Sequence, residues 1–404
     1  MQKIAVNVFA SGTVSGAITR SDIERDTFLF AYDRACVDDS AVSLTMPVVP
    51  DQYDSMGTVH PIFEMNLPEG LLRHKLELMF SKVIPHFDAL SLLELIGKSQ
   101  IGRLRYAAIG SALEEVPVQN VQKLLAYKGA DDLFDDLMER FAVYSGISGM
   151  QPKVLIRADT PMDRITHKGA THIVKSFNPK EFPELAANEF FCMQASRHAG
   201  LPTAAVQLAD NRKLLVVDRF DLGAEGRYLG FEDFCVLSGM RAGGRYNASY
   251  EEVAARIAQF VAPERHAESM EHFFGAVALA CAVRNGDAHL KNFGILYNRP
   301  GDDVRLAPIY DMLSTKPYLP KDVMALELAG TKSYPDRKQL VNFGRVACKL
   351  SQGRVTAILT QVAGGVLQAS ADMKKYAGRH ADFKPAAEHL AAVFKFGLAE
   401  SGLQ

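Results

Sequence analysis

Through the first hundred residues apolar and polar positions alternate. Ile4, Val6 and Val8 share one side of an extended segment, a Ser11-Gly12 turn follows, and Phe28, Phe30 and Tyr32 continue the period of two. This alternation predicts half-buried strands. The period then lengthens, with Leu72, Leu76, Met79 and Phe80 at the i, i+4, i+7, i+8 spacing of one helical face. A second helix is expected over Ala89–Ile96, with Asp88 as N-cap and Gly97 as its stop. Between 112 and 128 the periodicity fades and Glu114-Glu115-Val116-Pro117 interrupts any helix, so the stretch reads as a connector.

A new unit is expected to begin near Asp131. Leu133, Phe134, Leu137 and Phe141 mark one face of a helix over 131–141, whose Asp131, Asp132, Asp135, Asp136 and Glu139 form a solvated face. Strands are expected at 153–157, 172–177 and 214–220, with a helix Leu185–His198 stopped by Gly200. From about Phe231 the pattern is mainly helical, broken by short strands near 293–297 and 305–310. Two β-containing pieces followed by a helical one make an α+β plan without internal repeats.

Composition narrows the options. A chain of 404 residues exceeds one ordinary core and suggests about two to three structural units. It is 48% hydrophobic and 23% charged, as a globular protein should be. Its 45 basic and 47 acidic residues nearly cancel, which removes the global positive field needed for autonomous nucleic-acid binding. No secretory signal or membrane span is expected, since the apolar run 273–283 is short and meets Arg284. Cys36, Cys192, Cys235, Cys281 and Cys348 are scattered and odd in number, the usage of reduced thiols in a cytoplasmic protein.

The strongest chemical signal is Asn285-Gly286-Asp287-Ala288-His289-Leu290-Lys291-Asn292, between a buried helix and a strand. Asp287 and Asn292 have the D-x-x-x-x-N spacing of a kinase catalytic loop, where a carboxylate meets the acceptor hydroxyl and an amide oxygen reaches Mg²⁺. A polar helix-to-strand turn is the plain alternative. Asp311, in Tyr310-Asp311 after an expected strand, stands where a kinase places its second Mg²⁺ ligand, although no Phe-Gly follows it. Lys175, on the strand Thr171-His172-Ile173-Val174-Lys175, is placed to hold the α- and β-phosphates, and Glu189 could pair with it; a surface lysine and an exposed helix acid are the alternatives. The loop Ser145-Gly146-Ile147-Ser148-Gly149-Met150-Gln151-Pro152-Lys153 has small residues that let backbone N–H groups approach phosphate, but it matches neither G-x-G-x-x-G nor Walker A. In a kinase plan, 214–221 is the interlobe hinge: backbone groups of Asp218 and Phe220 pair with adenine and Asp221 reaches the ribose. The alternative is an edge strand ending in a salt-bridged turn. Loop, lysine, hinge, catalytic loop and metal acid follow one another in the order a bilobal kinase requires. The cationic, Gly-rich Arg241-Ala242-Gly243-Gly244-Arg245 reads as a solvated turn rather than a substrate loop.

With these motifs in place the chain resembles the HipA family, the serine/threonine kinase toxins of bacterial toxin–antitoxin pairs. The resemblance rests on Ser43-Leu44-Thr45-Met46-Pro47, Asn66-Leu67-Pro68-Glu69, Leu92-Leu93-Glu94-Leu95-Ile96-Gly97 and Ile101-Gly102 in the N-terminal region. In the core it rests on Gly149-Met150-Gln151-Pro152-Lys153, His172-Ile173-Val174-Lys175, Asn188-Glu189, Asp218-Arg219-Phe220-Asp221, Gly286-Asp287-Ala288-His289-Leu290-Lys291-Asn292 and Tyr310-Asp311. It implies a bilobal, protein-kinase-like α+β fold: an N-terminal subdomain at 1–110, a kinase N-lobe at 111–221 and a helical C-lobe at 222–404. It implies Asp287 as catalytic base, Asn292 and Asp311 as Mg²⁺ ligands, and Lys175 on the ATP phosphates. Ser148, Gly149, Gln151, Lys153, Asp218, Phe220, Asp221 and His289 complete the ATP-binding set.

The family's usual inhibitory autophosphorylation site, just before the Ile of the loop, is Gly146 here. Ser148, two residues on, is the position used in some relatives with a double-serine loop, so the resemblance implies Ser148 as the acceptor, with Ser145 second. The resemblance further implies a helix-turn-helix antitoxin partner of HipB type, DNA contact only through that antitoxin, and a host protein substrate such as an aminoacyl-tRNA synthetase. Two other functions fit the motifs: a small-molecule phosphotransferase of aminoglycoside-kinase type, and a non-catalytic co-repressor bound to a DNA-binding antitoxin.

Overall fold

A computed structural model of the chain describes residues 5–24, 26–82, 84, 87–113, 115–128, 133–159 and 168–403. Ile4, Glu114, Asp131 and Asp132, used in the sequence reading, lie outside them. The chain falls into two compact units, 1–176 with 209–242 and 296–303, and 177–208 with 243–295 and 304–404.

The first unit opens with a five-stranded antiparallel sheet in the order Tyr53–Met56, Thr27–Tyr32, Thr13–Arg20, Ala5–Ala10, Leu104–Ala108. Val6, Val8, Phe28 and Phe30 are buried as the alternation requires. Two helices follow, Gly70–Phe80 and Ala89–Ile96. Asp88 caps the second by accepting from the Ser91 amide at 3.0 Å, and Arg20 Nε binds the same carboxylate at 2.8 Å. In the first, only Leu72 and Leu76 of the expected stripe are buried. Leu78 and Met79 are exposed, because the last turn of this helix lies at the surface.

The stretch expected to be a connector holds a short strand, Val118–Gln119, and a helix, Val121–Leu125, capped by Asn120 Oδ1 on the Lys123 amide at 2.7 Å. Elements of two and five residues are too short to show periodicity. Of the acidic face expected on the helix that runs Leu133–Phe141, Asp135 makes an ion pair with Lys75 instead of being merely solvated.

A second sheet of this unit places Val118–Gln119, Lys153–Ala158, His172–Ser176 and Leu214–Asp218 side by side. Its last strand ends at Asp218, so Phe220 and Asp221 lie beyond it. Lys153 and Leu215 both face Lys175 in register. Across the unit, Glu232 on the strand Gly230–Asp233 accepts from Ser43 Oγ at 2.6 Å, the Leu44 amide at 2.8 Å and Tyr297 Oη at 2.7 Å. Burial pushes this carboxyl up against those three donors.

The second unit is built around the helix His266–Val283, in which every residue from His272 onward is buried. Leu185–His198, Tyr250–Phe260, Gln352–Ala377 and Lys384–Glu400 pack on it, and Arg337–Val346 packs on Gln352–Ala377. Ser249 with Glu252 and Asp336 with Gln339 form capping boxes at two of these helices. The strand expected over 305–310 shrinks to Arg305–Leu306, because Pro308 cannot donate to a ladder and Ile309 instead pairs with Thr203 as an isolated bridge. No helix among the described residues is long and apolar enough to cross a membrane.

Gly365 shows how tightly this unit packs. A Cβ there would stand 2.5 Å from the Ala195 carbonyl oxygen and 2.6 Å from the Ala199 amide nitrogen. Gly365→Ala is expected to lower stability by about 1–3 kcal/mol despite its gain in helix propensity. A denaturant titration showing no loss would mean that the two helices can part without cost.

Candidate active site

Each unit carries part of the expected chemistry. In the second, the buried helix ends at Arg284, in the left-handed region at φ 58°. Its side chain lies over the rings of Tyr334 (4.5 Å) and Phe396 (5.1 Å). The loop that follows is tied down at once. Asn285 Oδ1 accepts from the Asp287 amide at 2.9 Å, and the Gly286 amide donates to Thr315 Oγ1 at 2.8 Å. Thr315 donates from its amide and its hydroxyl to the Arg284 carbonyl, at 3.1 and 3.2 Å. Gly286 is required here, since a Cβ would stand 2.5 Å from the Val323 carbonyl oxygen as well as 2.0 Å from Asp322 Oδ2.

These bonds join the Asp287 loop to the segment that follows Asp311. Tyr310 Oη adds a bond to the Lys291 carbonyl at 2.8 Å, and Asn285 Nδ2 approaches Met312 Sδ at 3.4 Å. The Asp287 side chain is 48% exposed, open to a group arriving from solvent. Asn292 Oδ1 accepts from the His289 amide at 3.2 Å, which sets the direction of its carbonyl. Asn292 and Asp311 line one small cavity with Asn285, Phe293 and Tyr310. Asp311 is itself left-handed, at φ 54°, a conformation that costs an L-residue on the order of 1 kcal/mol and that Asp tolerates better than most.

An amide oxygen and a carboxylate on one cavity are hard donors that fit Mg²⁺, which takes one or two protein ligands and completes its shell with phosphates and water. No group of three or more His, Cys, Asp or Glu is arranged as a metal site among the described residues, so a larger protein cage is not part of this arrangement. His289 is buried with Nε2 3.9 Å from Asp287 Oδ1. Burial lowers its pKa more than the Asp287 charge raises it, which favours the neutral imidazole.

Sequence reasoning missed Tyr246. Its hydroxyl donates to Asp287 Oδ1 at 2.8 Å, and its ring meets that of His289 edge-on at 5.0 Å. The only signal was its position beside the Arg241–Arg245 stretch, read as a solvated turn. That stretch ends in contact with the Asp287–Asn292 loop, because the Arg245 carbonyl accepts from the Leu290 amide at 3.1 Å. Glu189 and Asn188 also belong to this unit. Glu189 is fully buried, not an exposed helix acid, and Asn188 pins Ser314 through both its amide atoms at 2.8 Å.

In the first unit Lys175 is 2% exposed and Lys153 is 5% exposed, and they stand opposite each other on adjacent strands. Two ammonium groups so placed repel, and burial makes each of them depend on polar partners. Lys153 Nζ also donates to the Ser148 carbonyl at 3.3 Å. Gly149 makes room for that approach: its φ is +123°, and a Cβ there would stand 2.3 Å from Lys153 Nζ.

N-terminal residues hold the same loop. The Gly146 amide donates to the Ser99 carbonyl at 2.9 Å, and a Cβ on Gly146 would overlap the Gln100 side chain. Serine could not replace Gly146 unless Gln100 moved. Ser148 Oγ donates to the Glu69 carboxylate, and Gly70 comes so close to Met150 that a Cβ would stand 2.8 Å from its carbonyl oxygen. Ser145 is fully buried, donating to the Phe141 carbonyl at 2.7 Å and accepting from the Leu155 amide at 2.8 Å. Gln151 is half-buried after the exposed Met150.

The hinge differs most from expectation. Asp218 faces His172 across the sheet, with Oδ1 3.5 Å from Nε2, and Phe220 rests on Phe231 at 5.6 Å. Burial lowers the His172 pKa and Asp218 opposes that shift. Asp221, expected at the ribose, is 1% exposed and turned inward. It accepts from Arg219 Nε at 2.9 Å, from Arg219 Nη2 at 2.5 Å and from the Gly102 amide at 2.6 Å. Arg219 also donates to the Gln100 carbonyl at 2.8 Å and the Ala170 carbonyl at 3.3 Å. Burial alone would lower the guanidinium pKa, but the Asp221 charge and its hydrogen bonds outweigh that and hold it above its usual value. Both Asp221 oxygens serve this buried knot, which leaves the carboxylate a structural role.

A buried helix delivering an Asp-x-x-x-x-Asn loop, stitched to a segment bearing a second acid, defines a kinase-like α+β protein. The comparisons narrow this class. Residues 6–107 match the HipA N-terminal domain and residues 145–370 match the HipA-like C-terminal domain, so the chain belongs to the HipA family. It is 27% identical over 398 residues to the Sinorhizobium fredii protein named "Putative kinase Y4mE", covering 91% of this chain and 92% of that one. A Haemophilus influenzae protein named "Putative kinase" is 31% identical over 187 residues, covering 43% of this chain and 53% of that protein. Among solved structures, the Shewanella oneidensis HipA complex with HipB and operator DNA matches at a TM-score of 0.69 and 18% identity, over 98% of both chains, which shows the shared fold.

The Asp221 geometry separates two roles. Asp221→Asn is expected to cost about 3–5 kcal/mol of stability by leaving the Arg219 charge buried and unpaired. A variant that keeps its unfolding midpoint and instead loses nucleotide affinity would restore the ribose assignment.

Proposed function

We propose that this HipA-family chain is a Mg²⁺- and ATP-dependent serine/threonine protein kinase, the toxin of a cytoplasmic toxin–antitoxin pair. The observation that carries the reading is the stitched arrangement in the second unit, where the hydrogen bonds from Gly286 and Thr315 join the Asp287–Asn292 loop to the Asp311 segment. Asp287 accepts the proton of the attacking serine hydroxyl. Asn292 and Asp311 would hold the cation, and Mg²⁺ when bound would offset the charge of the phosphate oxygens. In the first unit Lys175 and Lys153 take the phosphates, with the Ser148-Gly149 backbone and Gln151 beside them; in the second, His289 is a further nucleotide contact. Backbone groups of Asp218 and Phe220 pair with adenine. In this reading 1–110 is the N-terminal subdomain, 111–221 the nucleotide-holding lobe and 222–404 the catalytic lobe.

Ser148 is the autophosphorylation site. Ser145 has both hydroxyl roles occupied in the core, whereas Ser148 is half-buried and points at a carboxylate. A phosphate on Ser148 would bring nearly two negative charges against Glu69 and drive the loop off its N-terminal support. The acceptor in trans is a serine of a host protein, an aminoacyl-tRNA synthetase on the family's pattern. A chain with 45 basic and 47 acidic residues reaches DNA through a helix-turn-helix antitoxin rather than by its own field, in keeping with the HipB and operator DNA in the Shewanella complex.

Purified chain incubated with Mg-[γ-³²P]ATP should label protein. Asp287→Asn should keep its ATP dissociation constant while transfer falls by about 10²–10⁴-fold, and a variant that still transfers at the parent rate removes Asp287 from the chemistry. Mass spectrometry should find one phosphate on Ser148 in the parent and none on the loop in Ser148→Ala. Phosphate at Ser145 in that variant would reverse the assignment.

A further inference from the structure

The segment from Arg245 to Tyr250 runs along the catalytic loop and contacts four consecutive residues of it. Tyr246 Oη donates to Asp287 Oδ1 at 2.8 Å, Tyr250 Oη donates to the Ala288 carbonyl at 2.9 Å, the Tyr246 ring packs on His289, and the Arg245 carbonyl accepts from the Leu290 amide at 3.1 Å. The segment is anchored from behind. The Tyr250 amide donates to the Glu327 carbonyl at 2.9 Å, the Glu327 amide to the Ala248 carbonyl at 3.2 Å, and Lys332 Nζ to the Tyr246 carbonyl at 3.2 Å.

We propose that Tyr246 is a positioning residue for phosphate transfer: its hydroxyl holds one oxygen of the Asp287 carboxylate, leaving the other to take the acceptor's proton. This rests on Asp287 being the base. A half-exposed aspartate turns easily about its two side-chain torsions, and a base is effective only when its lone pair meets the hydroxyl at hydrogen-bond distance. A phenol bonded to the ionised carboxylate is a charge-assisted contact, strong enough to select one orientation. Tyr246 exchanges no proton and forms no covalent bond; it acts through Asp287. Its ring is 42% exposed, so removing the hydroxyl alone leaves the packing on His289 in place.

The test compares full-length parent and Tyr246→Phe chains with Mg-[γ-³²P]ATP, using casein as a serine-bearing acceptor and water as a second acceptor. Tyr246→Phe should lower kcat about tenfold, with the KM for ATP, the KM for casein and the Tm unchanged. In an Asp287→Asn background the same substitution should cost nothing further, since the group it orients is gone. An unchanged kcat overturns the proposal. So does a fall in Tm with a rise in KM, or an equal tenfold loss in the Asp287→Asn background; both would mark a structural role. A parent chain that binds Mg-ATP yet transfers to neither itself, casein nor water would instead bring down the kinase reading itself, and this proposal with it.

Discussion

The second unit depends on how its buried helix ends. From His272 onward the helix His266–Val283 is buried on every side, at the centre of a helical cluster, so its chain must leave that centre and reach polar chemistry within a few residues. Arg284 makes the exit possible by taking a left-handed conformation and lying between two aromatic rings. The backbone groups exposed by the turn are then satisfied by Thr315 and Asn285. Those are the same bonds that bring the Asp311 segment against the Asp287 loop. Satisfying polar groups at a buried helix end and assembling a candidate catalytic site are here one physical event.

The first unit solves a different problem. A loop of small residues has little side-chain mass with which to hold itself in place. Its support comes from the N-terminal region: the Ser99 carbonyl at Gly146, the Glu69 carboxylate at Ser148, and the close approach of Gly70 to Met150. The buried Arg219–Asp221 pair ties the end of the Leu214–Asp218 strand to Gly102 and Gln100 of the same region. The N-terminal region thus sets the loop's position, since whatever loosens it loosens the loop.

Much was legible because it is local. The helix Leu185–His198, the Asp88 cap and the Asp287–Asn292 spacing each depend on neighbours a few residues away, where periodicity and side-chain chemistry are sufficient. Met79 and the strand expected over 305–310 were misjudged for the opposite reason: what covers a residue, or pairs with it, comes from far along the chain. Asp221 is the sharpest instance. Beside a hinge strand an acid reads as a ligand for ribose, and only the arrival of Gly102, more than a hundred positions earlier, takes one of its oxygens into a buried knot. Tyr246 was missed likewise, since nothing in its own segment points to Asp287.

By itself, then, the amino-acid sequence determined the family, the α+β class and the order of the chemical groups, because motif spacing and hydrophobic period are properties of adjacent residues. Only the tertiary structure decided which of those groups are buried in ion pairs, which stand half-exposed, and which unremarked neighbour bonds to them. Burial and hydrogen-bond partnership are set by residues distant in the chain, and in a low-dielectric interior they determine whether a charged side chain serves packing or chemistry.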